Sequence, residues 1–167
     1  VYGVTFYLPT QVAAMMGTKV GLMVGLVSAI PWICAVIANA IIPRYSDRSG
    51  MRGSLAAILM GCAGLGVIAS ATGSPFIRII ALSVATAGYF SSQPIFWTMP
   101  TRMLSGVAAA SAIALINSIG NLGGFIAPNL RVWAEQTFNS SSAGLYVLGG
   151  TAILGALLFW LSIPLGI

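Results

Sequence analysis

The chain has 167 residues, 58% of them hydrophobic, and its charge rests on seven Lys or Arg against two Asp or Glu, a formal net charge of +5. A soluble domain carries about a quarter charged residues, so 5% cannot cover a surface that faces water. With no histidine, two carboxylates and two cysteines, most metal sites and His-based acid–base machinery are excluded as well.

Mean hydropathy is +0.99, and apolar stretches of about 20 residues recur along nearly the whole sequence, the pattern of membrane spans. The expectation is an all-α, multi-pass membrane protein in a lipid bilayer: not an enzyme, without catalytic residues, metal or other cofactor, and without a nucleic-acid partner. Six spans are expected in one bundle over 1–167, at about 1–16, 20–42, 53–72, 76–97, 106–130 and 143–167. Within hydrocarbon every backbone group needs an internal partner, so the spans are helices. The opening Val1-Tyr2-Gly3 has no initiator Met, basic segment or cleavage site, so the chain reads as a piece of a longer protein with its first helix truncated.

The first span offers Tyr7 and Gln11 around Pro9. The second carries a weaker polar stripe, Ser28, Trp32 and Asn39, and is expected to stop at Pro43. Arg44, Arg48 and Arg52 crowd the connection that follows, which places loop 44–52 in the cytoplasm; Arg102 falls on the same side by alternation, while Lys19, Arg78 and Arg131 fall singly on the other. The third span is studded with Gly61, Gly64 and Gly66, read as surfaces for close helix packing. Cys34 and Cys62 lie in apolar runs and read as small buried hydrophobes with no disulfide between them.

Polar side chains at membrane depth are expensive, so they point to a bundle interior or a pathway. In the fourth span Tyr89, Gln93 and Trp97 recur every four residues on one face, flanked by Ser92 and Phe96, and Pro94 frees a carbonyl about one turn earlier; Pro100 is expected to end the helix. In the fifth, Asn117 and Asn121 are four apart beside Ser118, Gly120, Gly123 and Gly124. Two amides on one face next to glycines suggest a polar wall with room for a ligand, and the glycines would let this helix slide or tilt. Asn139–Ser142 reads as a solvated loop before the last span, whose Trp160 reads as a packing residue. No charge falls at the centre of a span, since Asp47 and Glu135 both lie in connections. Groups that couple transport to protons, or read an anion's charge, would have to lie elsewhere.

The loop Pro43-Arg44-Tyr45-Ser46-Asp47-Arg48-Ser49-Gly50-Met51-Arg52 resembles the G-x-L-x-D-R-x-G-R-R signature of the major facilitator superfamily. Asp47, Arg48, Gly50 and Arg52 match and would form a cytoplasmic latch; Pro43 stands where the signature has Gly, and Tyr45 where it has Leu. The stretches Pro94-Ile95-Phe96-Trp97-Thr98-Met99-Pro100, Ile113–Leu122 and Gly123-Gly124-Phe125-Ile126-Ala127-Pro128 are similar to helices ten and eleven of the anion:cation symporter family within that superfamily, and Tyr2-Gly3 with Leu8-Pro9-Thr10 to its seventh. The resemblance spans the whole chain. It implies the C-terminal six-helix half of a twelve-helix carrier in a bacterial inner (plasma) membrane, importing a small organic anion (a sugar acid, a tartrate-like acid or an aromatic carboxylate) with a proton by alternating access. Its partner would be the missing N-terminal half, where the family places its coupling carboxylates and substrate-binding Arg. Trp97 and Asn117 match family positions that face the substrate; Tyr89, Gln93 and Asn121 would complete the wall, with Tyr7 and Gln11 beside it. The competing readings are a self-contained six-helix pore or structural subunit, and a neutral-solute carrier of the same superfamily.

Overall fold

A computed structural model describes residues 2–19 and 21–163, with the side chains of 8–19, 21–102 and 104–163. Six helices account for nearly all of it: α1 (Tyr2–Met16), α2 (Leu22–Ser49), α3 (Arg52–Ala69), α4 (Pro75–Met103), α5 (Gly106–Thr137) and α6 (Ala143–Ser162). Five of them, α2 to α6, are long and apolar enough to cross a membrane. Connections are so short that consecutive helices must run antiparallel. The chain ends of the hairpins confirm the alternation: Ile163 packs on Gly53 at one end of the bundle, and Ser142 Oγ donates to the Ala71 carbonyl at 3.3 Å at the other.

Helix ends differ from the expected ones in an instructive way. Neither Pro43 nor Pro100 stops its helix; both lie inside, α2 running on to Ser49 and α4 to Met103. A proline deletes one N–H and crowds the preceding turn, which bends a helix without terminating it when neighbours hold both sides. Termination comes from the backbone instead. Gly50 takes φ 72° and its N–H closes on the Ser46 carbonyl at 3.1 Å, a left-handed cap that needs no side chain. Asn139, at φ 47°, follows the end of α5 in the same conformation. Because a Cβ at Gly50 meets nothing within 4 Å, Gly50→Ala should cost only the left-handed backbone penalty, ~1 kcal/mol. Thermal unfolding of the purified variant, compared with Gly25→Ala, where a Cβ also meets nothing within 4 Å and φ is ordinary, checks this.

Packing places α3 between α4 and α6, with α2 on the far side of α4 and α5 on the far side of α6; α1 touches α2, α4 and α5. Glycine sets the closest approaches. A Cβ at Gly88 would lie 2.6 Å from the Leu59 carbonyl oxygen and one at Gly66 2.7 Å from that of Ala81, so α3 and α4 meet backbone to backbone. Gly64 and Gly149 do the same between α3 and α6, each 2.7–2.8 Å from the other's carbonyl oxygen. Where lipid is the solvent, such close contact supplies the association that hydrophobicity supplies in water. Buried clusters form at Leu8, Val12, Ala13 and Val24 between α1 and α2, and at Val67, Ala71, Ala85 and Leu145 among α3, α4 and α6. Large apolar side chains such as Leu26, Val36, Leu122 and Leu161 point outward, as a bilayer-facing surface requires. Cys62 is among the outward residues and Cys34 only half-buried, which corrects the expectation that both are buried; on a lipid-facing surface an apolar run gives no sign of which side is core. Both are free thiols.

Candidate functional site

A cavity of about 720 Å³ opens between α1, α3, α4, α5 and α6. Its polar lining comes from Gln11 on α1, Tyr89, Ser92, Gln93 and Trp97 on α4, Asn117 and Asn121 on α5, and Thr151 on α6. The four-residue spacings on α4 and α5 explain how each helix delivers its groups to one side. Gln11, Tyr89, Gln93, Trp97, Asn117 and Asn121, expected from their spacing and from the family resemblance, are thus brought onto one cavity by α1, α4 and α5. The side chain of Tyr7 lies outside the described residues; its backbone position is one turn before Gln11.

The α4 face is held rigidly. Thr86 is fully buried and its hydroxyl donates to the Pro31 carbonyl at 2.9 Å, pinning α4 to α2 just below the site. Phe90 packs against Trp32 with ring centres 5.1 Å apart and planes tilted by 59°. Trp97 lies near-perpendicular to Phe96 of its own helix at 5.5 Å, and Phe96 in turn meets Phe159 of α6 at 6.0 Å. Ser92 donates to the Tyr89 carbonyl at 2.8 Å, within the turn that Pro94 disturbs. In the second helix, Ser28 and Trp32 serve packing, and Asn39 is exposed away from the cavity.

The α5 face is different. Asn117 and Asn121 are exposed to the cavity, and around Gly120 and Gly123 a Cβ would find no heavy atom within 4 Å. These two glycines widen the cavity; they do not seat a neighbouring helix as those of α3 do.

Sequence reasoning missed the far wall: Met60, Ala63 and Val67 on α3, and Leu145, Leu148, Thr151 and Ala152 on α6. Thr151 was the one signal there, and its hydroxyl is occupied by the Leu148 carbonyl of its own helix at 2.8 Å.

Among the described residues, no Asp, Glu, Lys or Arg lines the cavity. Charge is paired at the two ends of the bundle. Arg52 donates to Asp47 Oδ1 at 2.7 and 3.1 Å across the α2–α3 turn, with Gly50 as its hinge and Arg48 exposed beside it. At the opposite end, Arg131 donates to Glu135 Oε1 at 2.6 Å. The cavity itself can therefore offer amide, hydroxyl and indole hydrogen bonds and aromatic faces, with no fixed charge.

No family model and no solved structure matches the chain. Curated proteins do. Over 160 residues, 96% of its length, the chain is 50% identical to the inner membrane transport protein RhmT of Escherichia coli (strain K12). It is 45% identical over 137 residues (81% of the chain) to a putative tartrate transporter of Agrobacterium vitis, and 37% identical over 163 residues (96%) to a quinolone resistance transporter of Acinetobacter baumannii. The chain spans only 37%, 30% and 37% of the length of these relatives. It thus corresponds to about a third of the length of relatives that are named as transport proteins.

Proposed function

We propose that this chain is the C-terminal six-helix half of a major-facilitator carrier of the anion:cation symporter type, which imports a small organic anion with a proton across a bacterial inner membrane. The observation that carries the reading is the convergence of Gln11, Tyr89, Gln93, Trp97, Asn117 and Asn121 on one uncharged cavity. Half of a substrate site is what such a wall resembles: it can orient hydroxyl, carbonyl or ring atoms, while the charge of an anion is met by the other half. The transporter relatives support it, and their length leaves room for a second bundle. In this reading loop 44–52 faces the cytoplasm, the Asp47–Arg52 pair ties α2 to α3 there, and the cavity is exposed alternately as the two halves rock.

The complete carrier, purified into liposomes, tests this directly. An inward proton gradient should drive accumulation of a radiolabelled hydroxy acid such as tartrate, and collapsing the gradient with a protonophore should reduce the end level to equilibration. Accumulation that ignores the gradient rejects proton coupling. A carrier that takes up an uncharged sugar and no acid replaces the anion reading with that of a neutral-solute carrier.

A further inference from the structure

Two groups of helices are held together in different ways. α3, α4 and α6 are locked at backbone distance: a Cβ at Gly88 would lie 2.6 Å from the Leu59 carbonyl oxygen, and one at Gly64 2.8 Å from that of Gly149. α1 and α2 are joined by side chains instead, with Leu8, Val12 and Ala13 packed on Val24 and Val27. Half-buried Gln11 stands among those α1 residues, so it enters the cavity from the second group. Tyr89 and Gln93 enter it from the first. α2 packs mainly on α4, and the alternation of the helices makes the two parallel. The seam between α2 and α4 is therefore the joint between the groups.

Little in that seam fixes its register. α2 brings Ser28, Pro31 and Ala35 to one buried face, all small or smooth, and the Ser28 hydroxyl makes no hydrogen bond. Trp32 and Phe90 meet there as tilted rings, which fill space without keying one helix to the other. Thr86 does key them. It is fully buried, and its Oγ1 lies 2.9 Å from the Pro31 carbonyl oxygen of α2. The Leu82 and Ser83 carbonyl oxygens of its own helix, at 3.0 and 3.1 Å, complete a cradle of three acceptors around one hydroxyl. Thr86 is not among the cavity residues, yet Tyr89 and Gln93 follow it on α4 by about one and two turns. We infer that Thr86 is a positioning residue: its bond to Pro31 sets the α1–α2 pair against α4, and with it the distance across the cavity from Gln11 to the face of Tyr89 and Gln93. The purpose of that distance rests on the carrier reading; the bond does not.

The test compares Thr86→Val, which keeps the shape and removes the donor, with Thr86→Ser, which keeps the donor, both in the complete carrier. Spin labels on Met16→Cys at the end of α1 and Phe76→Cys at the start of α4, with the native cysteines replaced, report the spacing of the two groups without any substrate. Thr86→Val should shift or broaden that distance, and Thr86→Ser should leave it as in the parent. Binding of a labelled hydroxy acid should weaken about three- to fivefold in Thr86→Val, the scale of one interhelical hydrogen bond, and recover in Thr86→Ser. In a Gln11→Ala background Thr86→Val should add no further loss, because the two residues act through one distance. A general loss of packing would add to the Gln11 effect and would not be rescued by serine. An unchanged spin-label distance in Thr86→Val overturns the tie and leaves the hydroxyl bonded within α4. Unchanged affinity, or losses that add with Gln11→Ala, overturn its action through Gln11. A carrier that takes up no organic acid defeats the functional reading, and the distances still decide whether Thr86 sets α1 and α2 against α4.

Discussion

Gly88→Val is expected to leave no folded carrier to assay, while Gly120→Val should leave a folded carrier with uptake reduced by about tenfold, equivalent to ~1.4 kcal/mol of lost substrate interaction. The two glycines are alike in sequence, each among small residues in an apolar run. At Gly88 the first added carbon lies 2.6 Å from the Leu59 carbonyl oxygen and 3.3 Å from the Ala63 nitrogen, both backbone atoms that no rotamer change can move aside. α4 must then back away from α3, opening a contact that also holds Gly66 against Ala81. Overpacking of this kind costs ~1–3 kcal/mol even where side chains can yield, and more where backbone must. At Gly120 there is no heavy atom within 4 Å, so three carbons project into the cavity without strain and helix propensity improves slightly. Size-exclusion profiles and melting curves separate the two outcomes, and uptake in the Gly120 variant completes the test. A folded, active Gly88→Val would show that α3 and α4 do not meet as described.

That contrast also marks the limit of what spacing can tell. Tyr89, Gln93, Trp97, Asn117 and Asn121 were legible because a polar group in hydrocarbon is costly, and a repeat of four puts such groups on one helix face. Gln11 was legible for the same reason. The far wall of the cavity was not: Met60 and Leu148 have the same chemistry as Leu157, which faces outward, and no periodic contrast distinguishes core from lipid when both are apolar. For glycine the difficulty is sharper, since Gly64 is closed over by Gly149 and Gly123 is open, and nothing beside either residue says which face a neighbour will cover. Proline is poor punctuation here: Pro43 and Pro100 both lie inside their helices. The backbone ends α2 at Gly50 in the left-handed region, six residues after Arg44, the first residue of the basic cluster. More than a full turn, carrying Arg44, Asp47 and Arg48, thus belongs to a helix that projects past the hydrocarbon, as does the end of α5, whose 32 residues span ~48 Å against a core of ~30 Å.

Asn117→Ala should weaken substrate binding roughly 5–30-fold, and Asn39→Ala should leave it unchanged. Both are asparagines on long apolar helices, and both are exposed. Asn117 lines the cavity opposite the Tyr89, Gln93 and Trp97 face, whereas Asn39 is on α2, which contributes nothing to it. A hydrogen bond between an amide and a substrate oxygen is worth ~1–2 kcal/mol net, the upper end applying when the oxygen is charged, and that energy sets the expected fold-change. Truncating an exposed side chain should shift folding stability by no more than about 0.5 kcal/mol, so the two variants should melt alike. Equilibrium binding of a labelled hydroxy acid to the purified complete carrier measures the difference. Equal affinities in the two variants would remove Asn117 from the substrate wall; the cavity would then have to be read through α4, with Gln93→Ala as the next variant. A loss confined to Asn117 makes α5 a contributor to recognition beside α4.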